Sequence, residues 1–214
     1  MAMGEQTSLA ERKRRAGQRL IVGFAGSSPG PEFREFVRAA APAGFILFAR
    51  NVEEPAQVRE LNRELGGMVP DQTPAFLSVD QEGGRVQRVR ETQWPPLRSV
   101  GNIDHLPSTQ QFARALADEV RALGFNLNFA PTSDVDSNPA NPVIGDRSFG
   151  RDPAKVALQV AAYIEATQAR GLIACAKHFP GHGDTSVDSH LDLPVVDKDL
   201  SELRRTELVP FAAA

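Results

Sequence analysis

Five short apolar runs alternate with helical patterns along this chain, and that alternation leaves few folds open. The runs lie at residues 19–24, 44–48, 74–79, 125–131 and 171–176. The second is apolar throughout, as a strand covered on both faces must be. Helical periodicity fills the intervals. It covers residues 8–18 and 32–41, the latter with Phe33, Phe36 and Val37 on one face. Glu53-Glu54-Pro55 opens a helix whose stripe is Val58, Leu61 and Leu65, and Gly66-Gly67 stop it. Another runs over 108–123, where Ser108 and Gln111 read as a capping box. Asp152-Pro153 cap the next, which reaches Arg170 with Val156, Val160 and Ile164 on its face. Asp199 starts a last helix that continues to residue 214. Strand–helix alternation of this kind specifies an α/β fold with a parallel sheet flanked by helices. No G-x-G-x-x-G follows the first run, and Gly83-Gly84 is not that motif. The charged groups fall after runs three, four and five, which favours a TIM (β/α)8-type barrel over a Rossmann sheet.

The fifth run reads as a buried strand and delivers Lys177-His178-Phe179-Pro180-Gly181-His182-Gly183-Asp184-Thr185-Ser186-Val187-Asp188-Ser189-His190. Three of the chain's 4 histidines sit in this stretch. Pro180, Gly181 and Gly183 break regular structure. Two chemistries compete for such a loop. Histidine and aspartate are ordinary zinc or iron ligands, but no known spacing such as HExxH is present. Proton transfer ranks higher. Asp188 and His190 are two apart, so in an extended segment their side chains leave on one side. A carboxylate on one imidazole nitrogen fixes the tautomer and leaves the other nitrogen to give or take a proton.

Acid and arginine at a strand's carboxyl end stand where a barrel enzyme keeps its site. Asp80 and Arg88 follow the third run; a carboxylate accepts two donors and an arginine offers a fork of them. A structural ion pair is the plainer reading of that couple. Asn126 and Asn128 alternate with Leu127 and Phe129, so the fourth run has two environments. A long loop with several Asn and Pro residues follows, 134–150, and carries Arg147.

Composition narrows the function classes. Lys and Arg number 24 against 27 Asp and Glu, a net charge of -3, which gives no reason to expect nucleic acid or an anionic membrane as partner. No run reaches the ~18 apolar residues of a membrane span. The basic Arg12-Lys13-Arg14-Arg15 reads as a solvated helix face, and no signal-peptide core follows it before Gly23. A single cysteine, Cys175, excludes an internal disulfide and fits a reducing compartment; on an apolar run it reads as a packed thiol. The expected location is the cytoplasm.

Three motifs carry a resemblance. Lys177 to His190, the Asp80–Arg88 stretch as D-x-E-G-G-x-V-x-R, and the 144–150 stretch as I-G-x-R-S-F-G together resemble family 3 glycoside hydrolases of the NagZ type, the β-N-acetylhexosaminidases. The resemblance implies His190 as general acid/base with Asp188 as its partner. It implies Asp80, Arg88, Arg147, Lys177 and His178 as residues that hold the sugar. The implied reaction is retaining hydrolysis of terminal β-linked N-acetylglucosamine from peptidoglycan fragments, in cell-wall recycling, with no cofactor or metal. The implied partner is a GlcNAc-containing muropeptide. A metal-dependent hydrolase and a non-catalytic sugar-binding chain are the alternatives.

The resemblance runs along essentially the whole chain and stops before strands six to eight. A complete barrel has eight strands and typically about 250 residues, whereas five runs are present. The family's nucleophile is an aspartate on a later strand, and no aspartate here matches its motif. The expectation is a single barrel domain, 1–214, truncated at its C-terminus.

Overall fold

The computed structural model describes residues 8–69, 74–188 and 191–214. Five parallel strands form one sheet in the order β1 (Ile21–Val22), β2 (Gly44–Leu47), β3 (Phe76–Val79), β4 (Leu127–Asn128) and β5 (Ile173–Ala174). Sequence order equals spatial order, so every crossover runs the same way along the sheet. That is barrel-type winding, not a doubly wound sheet. The registers pair Ile21 with Gly44, Leu47 with Val79, Val79 with Asn128 and Asn128 with Ala174.

Eight α-helices are described: α1 (Leu9–Gly17), α2 (Pro31–Ala40), α3 (Pro55–Gly66), α4 (Leu97–Ile103), α5 (Leu106–Ala122), α6 (Pro153–Gln168), α7 (Leu200–Arg205) and α8 (Leu208–Ala213). Pro31, Pro55 and Pro153 each sit at a first helical position, where the missing N–H costs nothing. Asp152 caps α6, its carboxylate accepting from the amides of Ala154 and Lys155. Among the described residues no helix is long and apolar enough to cross a membrane.

The stripes of α3 and α6 are buried where the spacing places them. Val58, Leu61, Leu65, Val156 and Val160 are all at most 3% exposed. One core cluster fills the space between the first strands and α2, α3 and α5, around Phe45, Leu47, Leu65, Val79 and Leu116. A second lies under α4 and α6, around Leu97, Phe149, Val160 and Tyr163. Each such side chain contributes about 1.5–3 kcal/mol on burial.

Several expectations are corrected. Ser108 does not cap α5: His105 is its N-cap, and the Ser108 hydroxyl bonds the His105 Nδ1 at 2.9 Å. Pro107 starts the helix earlier than the Ser–Gln pair implies. The buried face of α5 includes Ala113, Leu116, Ala117 and Val120. The last helix is two, because the Pro210 ring cannot pack against the carbonyl four residues back and a continuous helix must break there. The fifth run is only half buried: Leu172 packs inside, whereas Ile173, on the sheet's edge, is 42% exposed. Cys175 is half buried, and burial pushes its thiol up.

Candidate active site

The carboxyl ends of β3, β4 and β5 open on a cleft of about 360 Å³. Asp80, Glu82, Val86, Arg88, Val143, Arg147, Lys177, His178 and His182 line it. Strand β4 is held in register beyond its short ladder by its two asparagines. The Asn126 Oδ1 accepts from the Leu77 amide at 2.8 Å, and its Nδ2 donates to the Ala75 carbonyl at 2.8 Å. Asn128 does the same for the Gln81 amide and carbonyl at 3.0 and 2.8 Å. These side chains imitate backbone and fix where the β3 loop leaves the sheet.

That loop brings Glu82 to the centre of the site. It is 1% exposed, and a buried carboxylate must be compensated. Arg147 supplies a fork, with Nε to Oε2 and Nη2 to Oε1, both at 2.9 Å. The Lys177 Nζ lies 2.5 Å from the Glu82 Oε1, and the Thr132 hydroxyl donates to Oε2 at 3.1 Å. Burial opposes ionisation here, but the bonds from Arg147 and the charges of Lys177 and Arg147 outweigh it and hold the carboxyl at about 2. Burial likewise works against the Arg147 charge, yet its bonds to Glu82 and the nearby carboxylates Asp134 and Asp80 raise its pKa.

Asp80 lies beside this pair. Its Oδ1 accepts from the Lys177 Nζ at 2.9 Å, and its Oδ2 faces the Arg88 Nη2 at 3.3 Å. A second buried carboxylate, Asp134 after β4, organises the fifth-strand loop. It accepts from the His178 Nδ1 at 2.6 Å and from the His182 amide at 2.6 Å. The His178 Nε2 lies 3.2 Å from the Arg147 Nη2. Arginine can only donate, so the Nε2 lone pair accepts from it and the ring proton sits on Nδ1. Both His178 nitrogens are therefore engaged in positioning.

The start of the loop is tied down. The Asn141 Nδ2 donates to the carbonyls of His182 and Thr185 at 2.8 and 2.9 Å. Gly183 passes so close to β4's loop that a Cβ there would lie 1.7 Å from the Val135 carbonyl oxygen. Asp188 is half buried, and its carbonyl accepts from the amides of Leu191 and Asp192 at 2.9 and 3.1 Å. Asp188 is not among the cleft's lining residues described above. Its expected partner His190 lies outside the described residues. Among the described residues no group of three or more His, Cys, Asp or Glu is arranged to hold a metal ion.

The structure thus gathers Asp80, Arg88, Arg147, Lys177 and His178 around one cleft. It adds Glu82 and Asp134, to which the sequence reading gave no role. Glu82 lies inside the quoted D-x-E-G-G stretch, so a signal existed. Asp134 stands 44 residues from the imidazole it binds, and no local pattern links them.

The charged residues of this cleft stand at the strand ends of a barrel-wound α/β sheet, where enzymes of that fold keep their sites. The chain belongs to glycosyl hydrolase family 3, whose N terminal domain its residues 14–214 match. It is 41% identical over 199 residues to a Beta-hexosaminidase of Pseudomonas aeruginosa strain LESB58, covering 90% of this chain and 58% of the relative. A family 3 beta-N-acetylglucosaminidase from Paenibacillus sp. FPU-7 superposes with a TM-score of 0.89 at 40% identity, covering 94% of this chain and 39% of that one. NagZ from Neisseria gonorrhoeae, solved in complex with N-trifluoroacetyl-D-glucosamine, gives 0.82 at 34% identity, covering 91% and 58%. The chain therefore spans little more than half the length of the Beta-hexosaminidases it matches.

Proposed function

We propose that this chain supplies the sugar-holding cleft and the proton-transfer group of a retaining β-N-acetylhexosaminidase. The observation that supports it most is the convergence of Asp80, Arg88, Arg147, Lys177 and His178 on one small cleft at the strand ends. Asp80 accepts from sugar hydroxyls, while Arg88 and Lys177 donate to them, which fixes the ring's geometry. Glu82 and Asp134 hold Arg147, Lys177 and His178 in place. The Neisseria complex with a glucosamine derivative supports an N-acetylglucosamine-type ligand.

In the reaction, an aspartate outside the motifs matched here attacks the anomeric carbon. His190, oriented by Asp188, protonates the leaving oxygen and then deprotonates the water that releases the sugar. The substrate is a terminal β-linked N-acetylglucosamine of peptidoglycan fragments, and the setting is cytoplasmic recycling.

Calorimetry of the 214-residue chain with N-acetylglucosamine is expected to show binding. The full product of the gene is expected to hydrolyse a nitrophenyl N-acetyl-β-glucosaminide with chelator present. Absence of both sinks the reading. Binding without turnover favours a sugar-binding protein, and turnover abolished by chelator favours a metal hydrolase. His190→Ala is expected to lower turnover of a poor-leaving-group glycoside by about 10²–10⁴; an unchanged rate removes the acid/base assignment.

A further inference from the structure

One charged cluster lies outside the cleft. The Asp184 carboxylate, in the fifth-strand loop, is bonded through Oδ1 by the Ser137 hydroxyl at 3.1 Å and lies 3.0 Å through Oδ2 from the Lys198 Nζ. The Lys198 Nζ also reaches the Glu207 Oε1 at 2.6 Å. Glu207 is fully buried, and among the described residues its Oε2 has no hydrogen-bond partner. Its stem packs on Gly181, where a Cβ would stand 2.6 Å from the Glu207 Cβ. Burial disfavours the Lys198 charge, but its bonds to Glu207 and Asp184 raise its pKa.

The two ends of residues 185–197 are therefore joined: Asp184 precedes the segment, Lys198 follows it, and one ammonium ties both to a buried carboxylate. Among the described residues of the segment, Leu191, Leu193 and Val195 are 85, 83 and 75% exposed. The Lys198 bridge is a fixed point at the foot of this exposed stretch.

We infer that Lys198 is a positioning residue: bridging Asp184 to Glu207, it closes the base of the segment that carries Asp188 and His190, and so sets how the proton-transfer group is presented. It touches neither the cleft nor any sugar-holding residue named above. The catalytic part of this inference rests on the proposed function; the structural part does not.

Two measurements separate these parts. The variants are Lys198→Met and, so that no buried carboxylate loses its partner, the paired Lys198→Met/Glu207→Gln. Amide exchange is followed on the 214-residue chain. In both variants exchange over 181–188 is expected to quicken about tenfold, with β3 and α6 unchanged. Unchanged exchange over 181–188, or a uniform rise across the chain in the paired variant, overturns the inference. In the full gene product, the same variants are expected to lower kcat about 30-fold on a poor-leaving-group glycoside. KM should stay the same, and a dinitrophenyl glycoside, which needs no protonation, should change by less than about threefold. Equal loss on both substrates overturns the positioning role. An inactive wild-type protein sinks the proposed function, and the exchange experiment still decides the base closure.

Discussion

The two ends of the sheet's carboxyl rim use polar groups in opposite ways. After β1 and β2 they are consumed by backbone. The buried Asn51 donates to the carbonyls of Phe24 and Gly26 at 3.1 and 2.6 Å and accepts from the Phe48 amide at 2.8 Å. Arg50 donates to the Phe24 carbonyl at 2.9 Å and lies over the Phe48 ring. After β3, β4 and β5 the side chains instead bind one another: Glu82 with Arg147 and Lys177, Asp80 with Lys177 and Arg88, Asp134 with His178. Groups spent on backbone make a rigid rim. Mutually paired charges facing a cleft can exchange partners with a ligand. The same strand ends thus build a scaffold on one side and a site on the other.

Four experiments bear on that contrast. Glu82→Gln leaves Arg147 and Lys177 under-compensated in a buried place, at a cost of about 3–5 kcal/mol in urea unfolding. It should also weaken N-acetylglucosamine binding at least about tenfold; loss of stability alone would make Glu82 mere scaffold. Next comes acid. The Glu82 carboxyl sits at about 2 in the folded chain against 4.5 ordinarily. A depressed carboxyl stabilises above its unfolded value and loses that contribution as pH falls through the folded one. Between pH 4.5 and about 2 the chain should lose about 3 kcal/mol. Glu82→Gln should flatten that part of the stability–pH curve. Asn51→Ala should cost about 2 kcal/mol with sugar affinity within about twofold; a large affinity loss would break the contrast. Arg88→Met, on the partly exposed lip, should lower affinity about tenfold and stability by less than about 1 kcal/mol.

Much of this was legible in the chain. The apolar runs mark all five strands, most plainly β2, which is covered on both faces and admits no polar residue. The stripes of α3 and α6 mark their buried faces. Asp80, Arg88, Arg147, Lys177 and His178 stand out because their residue types recur in local motifs. What stayed hidden was non-local or too short. Helix α4 spans 7 residues and contains Gly101, so no period develops. Gly101 is needed there because a Cβ would meet the Phe149 carbonyl oxygen at 2.0 Å. The central role of Glu82 depends on partners 65 and 95 positions away. The cap of α5 went to His105 because Pro107 predetermines the first turn.

The close passage of Gly183 over the Val135 carbonyl has a practical consequence for anyone re-engineering this loop. A library randomising position 183 would return misfolded chains at nearly every codon, since even a methyl group has nowhere to go. Substitutions belong instead at Ser186, which is solvent-facing, and Val187, which is half exposed. Within a few residues the scaffold therefore sets a position that must be inherited intact beside two that can be rewritten.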